Sequence, residues 1–351
     1  HYLAAGWVRL AGWAGVSRES ALYGLCALLG SLMVPLTGWL AWRAARRADA
    51  AVSAMLLAAA ATPLVTRGAY GILRPEPFGA ALVVLAALLA ADWSPHWSRG
   101  RQAVWVVIDA LVHALGAGTW RLFPALAALG VGAAVTSDWL AERRPRRMPV
   151  LLAGIAGIAA AGIACDFYLA GAPDHLLFLL PALLPAAVHM VVGSGRACAF
   201  GVRIGATRRW AGLGAIVALL VTAGFAVVPV LRARVIGWLG TGGVPLNEAN
   251  LYGRIVNELQ PLDLLAAFAQ ERWFYLPAAV AALAAVWIWR RASRPDDPFL
   301  VVAAVGYGLA ALLFVRFEYV AAPFALALLA AALRDALAAI LPVRWGRGWV
   351  S

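Results

Sequence analysis

The sequence predicts an all-α membrane protein of about eleven transmembrane helices, and three observations lead there. The 351 residues are 64% hydrophobic and only 13% charged, with a mean hydropathy of +0.82, which excludes a water-soluble globule. Apolar stretches of a length that crosses a bilayer recur along the whole chain. Arginines gather in alternate gaps between those stretches.

Residues 1–20 read as an outer amphipathic segment, because "AGWVRLAGWAGV" sets tryptophans and one arginine among small apolar residues, as an interfacial helix does. The first residue is not Met, so a further helix is expected upstream. The apolar runs then begin near Ala21, Ala51, Phe78, Ala103, Leu122, Pro149, His175, Ala211, Phe274, Pro298 and Tyr319. Together they make a transmembrane core over 21–341, with a cytoplasmic tail at 342–351. Five arginine clusters fall between runs: Arg43, Arg46 and Arg47; Arg99 and Arg101; Arg143, Arg144, Arg146 and Arg147; Arg196, Arg203, Arg208 and Arg209; Arg290, Arg291 and Arg294. Positive loops stay inside, so the clusters mark the cytoplasmic face and the other loops lie outside. The longest outer loop covers 233–272.

The net charge of +12 contains no lysine. Its arginines sit in short stubs beside helix ends, so topology explains them and no nucleic-acid partner is expected. The alanine-rich, lysine-free composition points to a GC-rich genome and a prokaryotic plasma membrane. Cys26, Cys165 and Cys198 have no metal-ligand spacing. His96, His175 and His189 have none either. No internal repeat supports an inverted-repeat transporter. Within the fourth run, Asp109 and His113 stand four apart on one helix face and are expected to satisfy each other.

Charge at membrane depth is costly and persists where it is used, which directs attention to three outer stretches. "TRGAYGILRPEP", Thr66 to Pro77, carries Arg67, Arg74 and Glu76. "GRIVNELQP", Gly253 to Pro261, sets Glu258 in the longest outer loop. "VRFEYVAAP", Val315 to Pro323, places Arg316 at the end of an apolar run. Each has an ordinary alternative: Glu258 as a solvated loop acid or a helix cap, Arg316 as a headgroup anchor or a partner of Glu318, Arg67 and Glu76 as mutual neutralisers. Taken together, carboxylates suit a hard divalent cation and arginines suit phosphate. A lipid-linked phosphate or pyrophosphate, with its tail in the bilayer, fits such a rim.

These stretches, in this order, resemble the catalytic subunit of oligosaccharyltransferase, a transferase of the GT-C superfamily that moves a glycan from a lipid pyrophosphate carrier to asparagine. "TRGAYGILRPEP" looks like the family's Ser-Arg and Asp-x-Glu elements, "RIVNELQP" is similar to its loop motif ending in Glu, and "VRFEYVAAP" looks like the segment whose arginine contacts the donor. With the family's first span placed ahead of His1, the large loop follows the eighth run and Arg316 the tenth, as the resemblance requires. It implies a GT-C-like bundle with its active face extracytoplasmic. A polyprenyl- or dolichyl-pyrophosphate glycan would be the donor, a polypeptide the acceptor, and Mg²⁺ or Mn²⁺ the cofactor. Glu258 and Arg67 take catalytic roles on this reading, Glu76 and Glu258 hold the metal, and Arg316 binds the pyrophosphate.

The departures are specific. Arg74 stands where the family places a metal-binding aspartate, no Trp-Trp-Asp tripeptide occurs, and the family's outer soluble domain is not expected within these residues. Two other readings stand beside the first. One is a GT-C transferase using a polyprenyl-phosphate sugar with a lipid or glycan acceptor. The other is a lipid-binding or transport protein without catalysis.

Overall fold

The computed structural model describes residues 2–61, 64, 75–120, 122–141, 147–164, 182–187, 189–190, 298–313 and 317–340. Among them every element is helical and there is no strand. The helices are α1 (Tyr2–Trp13), α2 (Arg18–Ser31), α3 (Met33–Ala45), α4 (Ala48–Ala60), α5 (Pro75–Asp92), α6 (Arg99–Thr119), α7 (Phe123–Leu140), α8 (Met148–Ala164), α9 (Phe299–Leu313) and α10 (Glu318–Ile340).

Local chemistry sets several of the boundaries. Ser17 accepts the backbone N–H of Ser20 at 3.2 Å to start α2, and Ser98 accepts that of Arg101 at 3.4 Å to start α6. Pro124, at the head of α7, costs nothing there because the first turn has no intrahelical partner for its N–H. After α3 the chain reverses at Arg46, which adopts the left-handed conformation with φ +53°. The Arg46 N–H reaches the Trp42 carbonyl and its guanidinium lies 5.4 Å from the Trp42 ring.

Three helical stretches among the described residues are long and apolar enough to cross a bilayer: Arg18–Ala45, where α2 and α3 follow one another, Arg99–Thr119 and Phe123–Leu140. Shorter apolar helices are Ala48–Ala60, Pro77–Asp92, Met148–Ala164 and Phe299–Ala311. The crossings expected from Ala211 and Phe274, and much of the one from His175, lie outside the described residues.

Burial separates central helices from peripheral ones. In α5 the stretch from Ala80 to Ala91 is buried nearly all round, as is α10 from Tyr319 to Ala332. A helix apolar on every side belongs in the middle of a bundle. Around them pack α3, α4, α6, α7 and α9. By contrast α6 exposes Val104, Val107, Ile108, Leu111 and Leu115, one stripe at helical spacing that suits lipid. Helix α1 has Leu10 and Trp13 exposed, and its Trp7 donates to the Ala21 carbonyl at 2.6 Å.

Helix α8 meets α6 across glycines. A Cβ on Gly157 would collide with the Ala110 carbonyl, and one on Gly154 would stand 3.0 Å from His113 Nε2. In a membrane, where burial against lipid brings little gain, such small-residue contacts let two backbones approach and pack. Between α9 and α7, Tyr307 donates to the Leu126 carbonyl at 2.7 Å and stacks on Phe324 of α10 at 4.5 Å.

Candidate functional site

Arginines define one end of the bundle. Trp39 and Arg43, four apart on α3, reach the same carboxylate: Trp39 Nε1 donates to Asp92 Oδ2 at 3.0 Å, and Arg43 Nε donates to Asp92 Oδ1. Arg43 also donates to the Ala91 carbonyl at 2.8 Å, and its guanidinium lies 4.9 Å from the Phe299 ring at the head of α9. From the other side Arg147 grips Asp138 with a fork, Nε to Oδ2 at 2.6 Å and Nη2 to Oδ1 at 2.7 Å. Its Nη1 donates to the carbonyls of Ala90 and Ala91.

Two arginines therefore close the carbonyl end of α5, where the helix dipole is negative and the last carbonyls lack intrahelical donors. Both are buried, Arg43 at 8% and Arg147 at 7% exposure. Here the structure departs from the sequence reading of these clusters as loop markers only. Asp92 and Asp138, which that reading passed over, are their counter-ions. The signal in the sequence was an aspartate at the end of an apolar run facing an arginine cluster.

The same end gathers further arginines. Arg334 lies 3.5 Å from Asp49, which also accepts from Arg47 at 3.2 Å, so the late part of α10 sits beside the start of α4. Arg101 lies 4.1 Å from the Trp97 ring, within a cluster that includes Trp93 and Trp105. Since α5 ends and α9 begins here, and α10 returns antiparallel to α9, the two central helices run parallel.

Their starts consequently share the opposite end. Glu76 occupies the first turn of α5, and Glu318, two residues after Arg316, occupies the first turn of α10. Trp120 closes on Gly79 at this end, where an added Cβ would meet the Trp120 Cβ at 2.7 Å and the indole at 2.9 Å. Of the residues named from sequence, the backbone of Glu76 is placed in this way. Arg67, Arg74, Glu258 and Arg316 lie outside the described residues, as does the large loop at 233–272. Among the described residues no group of three or more His, Cys, Asp or Glu side chains could hold a metal ion.

The Asp109–His113 pair differs from expectation. His113 Nδ1 bonds the Asp109 backbone carbonyl at 2.9 Å, while the Asp109 carboxylate lies 3.4 Å from Nδ1 without a hydrogen bond. Contact within one turn favours the backbone carbonyl because it lies in line with the ring nitrogen's hydrogen. The carboxylate is left unsatisfied.

No protein-family model and no curated protein matches the chain. Among solved structures, the apo crystal structure of the Archaeoglobus fulgidus oligosaccharyltransferase superposes on 91% of this chain with a TM-score of 0.61 and 21% identity. The same enzyme tethered through a disulfide to an acceptor peptide containing the NVT sequon superposes on 91% with a TM-score of 0.54 and 19% identity. The fold is oligosaccharyltransferase-like. The chain spans about two fifths of the length of those structures, 40% and 39%. At this identity the likeness concerns the fold, and the resemblance read from the motifs meets it there.

Proposed function

We propose that this protein is a membrane glycosyltransferase that moves a glycan from a polyprenyl- or dolichyl-pyrophosphate carrier to asparagine of an acceptor polypeptide. The observation that carries the reading is the oligosaccharyltransferase-like fold over 91% of the chain. The order of the Arg67–Glu76, Glu258 and Arg316 motifs along the chain supports it, as does the shared end of α5, whose first turn holds Glu76, and α10, which begins just after Arg316.

In this reading Glu258 meets the acceptor amide and Arg67 orients the carboxylates. Arg316 binds the pyrophosphate, for which its planar fork is suited. Glu76 and Glu258 supply the hard oxygen donors for Mg²⁺ or Mn²⁺, which when bound neutralises charge on the departing pyrophosphate. Helix starts add to the same effect, since α5 and α10 both present their positive dipole ends to this rim.

The test uses the full-length protein in lipid nanodiscs, lipid-linked oligosaccharide extracted from the source membranes, and a fluorescent peptide bearing an Asn-Val-Thr sequon. Glycosylated peptide should appear in the presence of Mn²⁺, and Glu258→Gln should slow it by about 10²–10³, as loss of a group acting on the transition state does. Donor consumption with the peptide unmodified would transfer the reading to a lipid or glycan acceptor. Arg74 favours one other reading, a lipid-binding protein without catalysis, because a cation stands where a metal ligand is expected. Donor bound but never consumed, with or without metal, would establish that one.

A further inference from the structure

Asp109 is the eleventh residue of the 21-residue helix α6, and so lies at mid-depth of one of the helices long enough to cross the bilayer. Its exposure is 0%, and neither carboxylate oxygen has a hydrogen-bond partner. The other described acids in the surrounding helices sit at helix ends. His113, 3% exposed, uses Nδ1 on the Asp109 carbonyl, and that nitrogen is 3.4 Å from Asp109 Oδ2. The opposite edge of the ring, Nε2, faces Gly154. His113 and Gly154 both border a cavity of about 20 Å³ between α6, α7 and α8, whose other walls include Val131, Leu151, Ile155 and Ala182. That volume is the size of one water molecule, and His113 is the polar side chain that lines it.

Among the described residues the neighbours bring no compensating charge. On α5, Asp92 is engaged by Arg43 at the arginine-rich end and Glu76 stands in the first turn at the other end. On α7, Asp138 is held by Arg147. Helix α8 has no titratable side chain from Met148 to Ala164. Beyond Ala182 and Pro185 at the cavity, His189 receives the Arg147 N–H. An uncompensated charge at this depth is strongly disfavoured, whichever its sign. Of the possible states, a carboxylate beside neutral imidazole is a net anion, and a carboxylic acid beside imidazolium is a net cation. The two remaining states are neutral, and each contains one proton.

We propose that Asp109 and His113 form a membrane-embedded site that holds a single proton between them, on the carboxyl or on the imidazole, exchanging through the cavity at Nε2.

The wild-type chain in nanodiscs tests this, with ¹⁵N-labelled histidine for magnetic resonance and infrared absorption for the carboxylic-acid carbonyl. At about pH 9 a solvated imidazole is protonated in roughly one molecule in 300, and a solvated carboxyl far less often. One full proton is expected on the pair there, seen either as an acid carbonyl band that Asp109→Asn removes or as an imidazolium resonance that His113→Gln removes. Should either variant fail to fold, Asp109→Glu assigns the band by its shift. Neither signal at pH 9, or both together at pH 7, overturns the proposal.

Discussion

Replacing Arg147 by alanine removes a buried fork from Asp138 and, in the same step, the donor that Nη1 gives to the carbonyls of Ala90 and Ala91. Asp138 is only 6% exposed, so water does not restore its solvation cheaply. Breaking one partner out of a buried ion pair costs about 3–5 kcal/mol, because the remaining charge is left uncompensated. The effect should therefore lie well above the roughly 0.2–1 kcal/mol of an exposed pair. Reversible unfolding in mixed detergent micelles, followed by tryptophan fluorescence, measures it. Arg147→Lys should retain charge and lose the fork, and so fall between wild type and alanine. Replacing both partners with leucine should recover part of the loss, since neither charge is then stranded. A cost below about 1 kcal/mol for Arg147→Ala would show a solvated pair, and the argument that arginines close the end of α5 would fail with it.

Three further outcomes follow from particular residues. Gly157→Ala should destabilise the α6–α8 contact by about 1–3 kcal/mol through collision with the Ala110 carbonyl; Gly162→Ala on the same helix, which meets nothing within 4 Å, should be neutral or gain up to about 1 kcal/mol in the same unfolding measurement. Arg316→Lys should weaken donor binding by on the order of 1–3 kcal/mol in a lipid-pyrophosphate competition assay, and unchanged affinity in Arg316→Ala would leave Arg316 as a helix-end anchor. Arg74→Asp should strengthen Mn²⁺ binding by isothermal titration with the full-length protein. Like charge at close range costs on the order of 4 kcal/mol at an effective dielectric of about 20, so tight binding already in the wild type would remove Glu76 from the site.

Hydropathy by itself pointed to a helical membrane protein, because an apolar run of about twenty residues that crosses a bilayer satisfies its backbone polar groups within its own helix. Motif order pointed to the fold that the solved structures share, since Arg67, Glu76, Glu258 and Arg316 were legible against a background with few charges. The ion pairs were not. Arg43 and Asp92 lie 49 residues apart, and a +12 chain offers each acid many arginines, so only packing selects a partner. Nor could spacing show that His113 would turn from the Asp109 carboxylate to its backbone carbonyl. The i,i+4 rule brings two residues to one face without fixing which acceptor lies in line. The glycines of α8 gave no sign of which of several faced a neighbour, and the structure distinguishes Gly157, pressed on Ala110, from Gly162, open on every side. Transfer free energy acts on each residue separately and can be summed along a sequence. Pairing and close approach depend on the distance between residues far apart in the chain, which the tertiary fold alone determines.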